Sequence, residues 1–374
     1  LSHLIKPKSL ISVTTMLAFG SHLEEFGIPT AVGYDPCLYV PKLNVHSMWD
    51  RMVNMYGDWL ARLTYDSKRH FAHALFKEKC GDDFPSFAEI SSNSAFVFTN
   101  TEPLIDYATP SISKVIPIAG LSATEPKPLD KEWVKILTMR EKTVLLSFGS
   151  LTKSASLPME VKLSIVETVK ALPHVTFIWK YEENDEFTEK IAADVPNLEL
   201  RKWTPQVDIL AHPRLSAFIT HGGMGSAQEM ALRGVPGIFI PIFGDQARNA
   251  GMMEHNGLGK VLDKTDLKNS IKVVAVIKEV LENDSYRENA RRISAMLRSR
   301  PFAAKEKLIK YTEFAAEFGP SKALRPQSHD MNWIEYRNMD IILVALLLCL
   351  VTTWTSLKLS TRICVMLVNV RKSK

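Results

Sequence analysis

An apolar run, Phe218-Ile219-Thr220, ends in His221-Gly222-Gly223 and continues through Met224-Gly225-Ser226-Ala227-Gln228 to Glu229. Residues in this order can hold an anion. Glycines let the backbone come close to a bound group, and the free amides of a helix starting just after them attract negative charge. A hydroxyl at Ser226 and an imidazole at His221 add hydrogen-bond donors, so the string describes a cradle for a diphosphate. Taken by itself, the His-Gly-Gly string also fits a plain strand-to-helix turn around a buried histidine. A dinucleotide fingerprint fails: it needs Gly-x-Gly-x-x-Gly, and counted from Gly223 the third position is Gln228.

The neighbouring sequence sharpens the cradle. Glu229 lies within the helix expected after the glycines and offers a carboxylate to both hydroxyls of a ribose. Further on, a strand from Val235 to Ile240 leads to Pro241-Ile242-Phe243-Gly244-Asp245-Gln246. That puts an acid, Asp245, and an amide, Gln246, at a strand's carboxyl end, where they suit the ring hydroxyls of a sugar. Upstream, Trp203-Thr204-Pro205-Gln206 follows another strand end, and Trp203 offers an aromatic face for a base with the Gln206 amide beside it.

The elements that must position these residues are visible as apolar runs. Thr143–Phe148, Val175–Trp179, Leu198–Leu200, Ser216–Thr220 and Val235–Ile240 read as strands, with a helix over Met159–Ala171 between the first two. Apolar strands alternating with helices predict a parallel sheet covered on both faces, and ligands of such sheets bind at the carboxyl ends of the strands. The polar, proline-rich stretch Ala123–Leu129 reads as a linker. The domains expected are a partial N-terminal one over residues 1–124, a ligand-binding one over 125–318, and a connecting segment over 319–338.

Within the first domain, Met48, Met52, Met55, Trp59 and Leu63, with Trp49, Val53, Tyr56 and Leu60 alongside, recur at helical spacing. Packing of this stripe against a core is the preferred reading, with a wall for an apolar ligand or contact with a bilayer as alternatives. Of 374 residues, 46% are apolar and 23% charged, which is ordinary globular usage. The net charge of +5 is matched by Lys358, Arg362, Arg371, Lys372 and Lys374 alone, so the rest of the chain is near neutral and a nucleic-acid partner is not expected.

Ile341–Leu357 is uncharged, and as a helix it would span about 26 Å of a ~30 Å hydrocarbon core. A transmembrane helix over 339–358 is therefore expected, followed by a basic tail over 359–374 on the cytosolic side. Asn283-Asp284-Ser285 is a glycosylation sequon compatible with a luminal domain. Cys37 and Cys80 could pair in an oxidising lumen, though spacing alone decides nothing, and the cysteines show no metal spacing. The chain begins Leu1-Ser2-His3 without a targeting segment. A luminal domain needs one, so the expectation is that something upstream is missing.

The run from Phe218 to Gln246 resembles the signature of the UDP-glycosyltransferase family, with Trp203 to Gln206 opening the same block. The likeness continues through Asp208–Pro213, Arg248-Asn249-Ala250, and the Trp333, Tyr336 and Asp340 that precede the apolar run, and it is strongest with the animal membrane-anchored UDP-glucuronosyltransferases. The resemblance implies an α/β fold of two Rossmann-like domains facing across a cleft (GT-B type), the N-terminal one incomplete here, plus the C-terminal transmembrane helix.

It also implies donor-binding roles: Trp203 stacking on uracil, Gln206 contacting the nucleoside, and His221, Ser226 and the Gly223 amide holding the diphosphate with help from Gly149 and Ser150. Glu229 would bind the ribose, while Asp245 and Gln246 would orient the transferred sugar. The implied reaction is inverting transfer of glucuronate or glucose to a hydroxyl of a small lipophilic acceptor, in the endoplasmic reticulum, with the UDP-sugar as co-substrate and neither a further cofactor nor a metal. Homo- or hetero-oligomers are left open, as is a short form that binds UDP-sugar without catalysis.

There are two departures from the family pattern. Many members carry Asn where this chain has Gly225. The family's catalytic His and its supporting Asp have no convincing match, since His3 lacks the context, so no catalytic base is assigned.

Overall fold

The computed structural model describes residues 5, 7–14, 20–28, 30–121, 124–190 and 194–372, so His3 and Ala123 lie outside it. It divides into two compact units, Leu1–Leu324 and Arg325–Lys374.

The first unit holds two parallel sheets. Strands β1 (Ile11–Thr14), β2 (Phe96–Thr99) and β3 (Val115–Pro117) form one, in that order. The other has six strands: β4 (Lys142–Ser147), β5 (Val175–Lys180), β6 (Leu198–Arg201), β7 (Leu215–Thr220), β8 (Gly237–Phe239) and β9 (Gly259–Val261), in the order β6-β5-β4-β7-β8-β9. The chain thus winds outward from β4 in one direction, returns, and winds outward from β7 in the other. This reversal leaves a crevice between the carboxyl ends of β4 and β7.

Each central strand sends alternate side chains into two separate cores, which is why its sequence is apolar at nearly every position. Val144, Leu146, Phe177, Trp179, Ala217 and Ile219 pack on one face. They meet Val161, Ile165 and Val169 of helix α2 (Met159–Lys170) and Val273 and Ile277 of helix α6 (Ser270–Glu282). Leu145, Ile178 and Phe218 pack on the other face. There they meet Ala227, Met230 and Ala231 of α4 (Met224–Arg233), Met252 and Met253 of α5 (Gln246–His255), and Ile293 and Leu297 of α7 (Asp284–Arg298). The sequon residue Asn283 is exposed at the start of α7, where its side-chain oxygen accepts from the Ser285 amide at 3.1 Å.

Helix α8 (Ala304–Phe318), although it follows α7 directly, packs on the three-stranded sheet: Ala304 and Ala315 join Phe96, Phe98 and Ile116 in one core.

Helix α1 (Met48–Cys80) is turned the opposite way from the sequence expectation. Its apolar residues Met48, Trp49, Met52, Val53, Met55, Tyr56, Trp59, Leu60 and Leu63 are all exposed. At 100° per residue they fill a continuous arc of about 160°. The face toward the protein carries Asn54, Gly57, Asp58 and Ala61 instead. Polar anchoring explains the inversion. The Asn54 side chain donates to the carbonyls of Val32 and Asp35 at 2.8 and 2.9 Å and accepts from the Cys37 amide at 2.7 Å. Asp58 pairs with Arg62, which also reaches Glu24.

A Cβ on Gly57 would lie 2.7 Å from the Cys37 sulfur. Cys80 at the helix end is therefore about 35 Å further along its axis. Both thiols are free, and pairing between them is ruled out by this separation.

In the second unit, helix α9 (Met339–Lys372) contains a stretch, Met339–Ile363, whose most apolar 18 residues have a mean hydropathy of 2.1, none of them buried. At 25 residues it measures about 37 Å, enough to cross a bilayer. The helix runs on through the expected tail because no Pro or Gly interrupts 358–372. Lys358 stands over the Trp354 ring, 3.9 Å from its centroid.

Candidate functional site

The crevice between β4 and β7 is a cavity of about 850 Å³. The loop after β4 supplies Gly149 and Ser150, and the loop after β7 supplies His221 and Gly223. Ser226 and Glu229 come from α4, Trp203 from the turn after β6, Gln206 from the start of α3 (Gln206–Ala211), and Gln246 from the start of α5. Nine of the ten residues expected from the sequence therefore line one hollow. Asp245 lies beside this lining, where its carboxylate accepts from Asn249 at 2.9 Å.

The glycines do something the sequence did not indicate. A Cβ on Gly149 would lie 2.7 Å from the His221 ring, and one on Gly223 would lie 2.4 Å from its Nε2. The imidazole is thus clasped between two residues that can carry no side chain. Gly149 and Gly222 also have φ of 86° and 81°, in the left-handed region. Gly225 differs, since a Cβ there would meet nothing within 4 Å.

Burial holds His221 below the ordinary histidine value of 6.5, opposed by the nearby Asp245 charge and reinforced by Lys180. At neutral pH the ring is uncharged and can donate one N–H. The unfolded chain takes up this proton at a higher pH than the folded chain, so between those two values acid favours unfolding. Acidifying from neutral pH through 6.5 is therefore expected to lower the melting temperature of the wild type more than that of His221→Gln, as differential scanning fluorimetry would show.

The remaining polar groups are held by one another. Gln206 donates through Nε2 to Glu229 at 2.7 Å and to Ser226 Oγ at 3.2 Å, so three of the expected residues form one network. Burial raises the Glu229 carboxyl above its ordinary value, and the Gln206 bond opposes this. Gln246 accepts through Oε1 from the amides of Ile242 and Phe243 at 2.8 and 3.0 Å. Its amide nitrogen is the end left for a ligand.

Among the lining residues that the sequence did not single out, Phe243 and Lys180 have side chains placed to meet a ligand. Phe243 is 53% exposed at the rim. Lys180, only 6% exposed, donates to the Gly149 carbonyl at 2.7 Å and stands 4.9 Å from the centre of the Trp203 ring. Lys180 was legible as the residue after the apolar run Val175–Trp179, at a strand's carboxyl end, the position from which Gly149 and His221 were chosen.

Gln228, which breaks the dinucleotide pattern, has a structural task. It donates to Asn100 and accepts from the Gly120 amide at 3.2 Å, tying α4 to the loops of the smaller sheet. Arg248 on α5 makes the same connection more strongly. It donates to Asp35 and Asp106 at 2.8 Å each and to the Pro36 carbonyl, and is 1% exposed.

The family profile described as "UDP-glucoronosyl and UDP-glucosyl transferase" matches residues 9–374. The chain belongs to this family. Among curated family members, Caenorhabditis elegans ugt-48, named as a UDP-glucuronosyltransferase, is 31% identical over 349 residues, covering 92% of this chain and 66% of that one. UDP-glucuronosyltransferase 1A7 of Mus musculus is 31% identical over 89% of this chain and 62% of its own length. UDP-glucuronosyltransferase 3A1 of Bos taurus is 28% identical over 94% and 66%. The chain thus spans a little under two thirds of the length of these family members.

Among solved structures, the glycotransferase of kitacinnamycin superposes over 84% of this chain and 70% of that one, with a TM-score of 0.54 at 15% identity. The fold is α/β of the GT-B type, as the sequence led one to expect.

Proposed function

We propose that the cavity between β4 and β7 binds a UDP-sugar and serves transfer of its glucuronate or glucose, with inversion, to a hydroxyl of a small lipophilic acceptor. The observation that carries this reading is that Trp203, His221 and Glu229, chosen from the sequence for a base, a phosphate and a ribose, share one hollow. Family membership and the names of the curated family members support it.

Uracil stacks on Trp203, whose indole is 70% exposed and open to a ligand. Glu229, steadied by Gln206, accepts from the ribose hydroxyls. The diphosphate lies against His221, Ser226, the Gly223 amide and the Gly149-Ser150 loop. Asp245 and the amide of Gln246 orient the transferred sugar. The UDP-sugar is a co-substrate, and no further cofactor or metal is invoked.

Transfer breaks the bond between the anomeric carbon and the leaving phosphate oxygen as the acceptor oxygen attacks from the opposite side. Negative charge then grows on the departing diphosphate, and donors already fixed around it stabilise that charge selectively. The base that takes the acceptor's proton is assigned to none of the described residues. Helix α9 anchors the protein in the endoplasmic reticulum membrane with the donor site on the luminal side.

His221→Ala tests the site. It is expected to weaken UDP binding about tenfold or more, the loss of roughly 1.5–3 kcal/mol that goes with a hydrogen bond to a charged group. Isothermal titration calorimetry measures this directly, and unchanged affinity would contradict the role.

A further inference from the structure

Buried cations in proteins are paired, because removing a charge from water without a counter-charge is expensive. Beyond residue 125 the described structure buries three cations: Lys162, Lys180 and Arg248. Two follow the rule. Lys162 faces Asp185 at 3.7 Å, and Arg248 faces Asp35 and Asp106. Lys180 has no carboxylate within ion-pair distance among the described residues. Its ammonium meets only a neutral carbonyl, Gly149 O at 2.7 Å, and the face of Trp203. It also lines the cavity.

We propose that the missing counter-charge is the ligand's own diphosphate, and that Lys180 is the residue that neutralises it. This rests on the nucleotide-sugar reading of the same cavity and adds the cation that reading lacks. Gly149, whose carbonyl holds Lys180, is the residue packed against the His221 ring, so the ammonium sits on the diphosphate side of the cavity. One of its three N–H groups is used by Gly149, leaving others to donate. Trp203 keeps the ammonium from swinging away and so ties the base platform to the phosphate site. His221 and Lys180 divide the work: His221 gives a neutral hydrogen bond, and Lys180 gives the charge.

The test compares UDP with uridine, which share the base and ribose and differ in the diphosphate. Both are titrated calorimetrically into the full chain in detergent, as wild type, Lys180→Gln and Lys180→Arg. Lys180→Gln is expected to weaken UDP at least tenfold while changing uridine less than twofold, and to flatten the salt dependence of UDP binding. Lys180→Arg is expected to keep most of the UDP affinity. Circular dichroism and melting temperature check that the variants are folded, and if Lys180→Gln does not fold, the salt dependence in Lys180→Arg and wild type carries the test. A UDP affinity that survives Lys180→Gln, or that falls in step with uridine, overturns the assignment while leaving the nucleotide reading intact. A salt-independent UDP affinity in the wild type overturns it as well. A wild type that binds neither compound contradicts the nucleotide reading itself, and this inference falls with it.

Discussion

Arg248→Ala is expected to lower the unfolding free energy by about 3–5 kcal/mol, the cost of stranding buried charges whose partner has been removed. Arg248 is the centre of a cluster closed off from water, with Asp35 and Asp106 each 2.8 Å from its guanidinium and the Tyr107 ring 5.2 Å from its Cζ. Burial already pushes the Asp35 carboxyl above its ordinary value, with Arg248 holding it down. Without the guanidinium, both acids would have to protonate or drag water inward. Lysine cannot replace the fork, since one ammonium does not reach both carboxylates with the same geometry, so Arg248→Lys should recover only part of the loss. Removing the charges together, as Arg248→Met with Asp35→Asn and Asp106→Asn, should restore more stability than Arg248→Met alone. Denaturant unfolding of the full chain in detergent measures all four variants.

Two glycines only two residues apart should behave in opposite ways. Gly223→Ala places a methyl 2.4 Å from His221 Nε2, and over-packing of that kind costs about 1–3 kcal/mol. The imidazole must leave its seat, so UDP affinity should fall at least as far as in His221→Ala. Gly225→Ala meets nothing within 4 Å and lies in the first turn of α4, where a methyl should gain up to ~1 kcal/mol of helix stability. Parallel melting curves and UDP titrations of the two variants check both halves. Gly225 is also the position at which many UDP-glycosyltransferases carry Asn, and the space around a Cβ there is open.

The larger sheet and its cavity were legible in the sequence because several independent signals agreed. Buried parallel strands must be apolar on both faces, and Val144 to Leu146 and Ala217 to Ile219 are. A ligand at such a sheet must meet strand ends, and His221, Gly149 and Trp203 follow strand ends. What could not be read depends on which way a surface turns. The apolar arc of α1 has the spacing of a core-facing helix, and only the tertiary bonds of Asn54 and of Arg62, which Asp58 holds and which reaches Glu24, show that its polar face is the one turned inward. Strand β9 is three residues held by the close approach of Gly259 to Gly237, where a Cβ would lie 1.8 Å from the Gly237 carbonyl oxygen. Three residues carry too little periodicity to recognise. The clasp of two glycines on His221 was likewise hidden. A glycine beside a histidine suggests room for a ligand, and only the geometry shows that the room at Gly149 and Gly223 is filled by the histidine itself.

Saturation-transfer NMR on the full chain, with UDP-glucuronate, UDP-glucose and NAD offered together, tests the central claim most directly. The account predicts that the uracil and ribose protons of the UDP-sugars receive the strongest saturation, that Trp203→Ala removes most of it, and that NAD receives none that UDP can displace. Saturation of NAD protons that UDP competes away, or no transfer to the uridine protons at all, would contradict it.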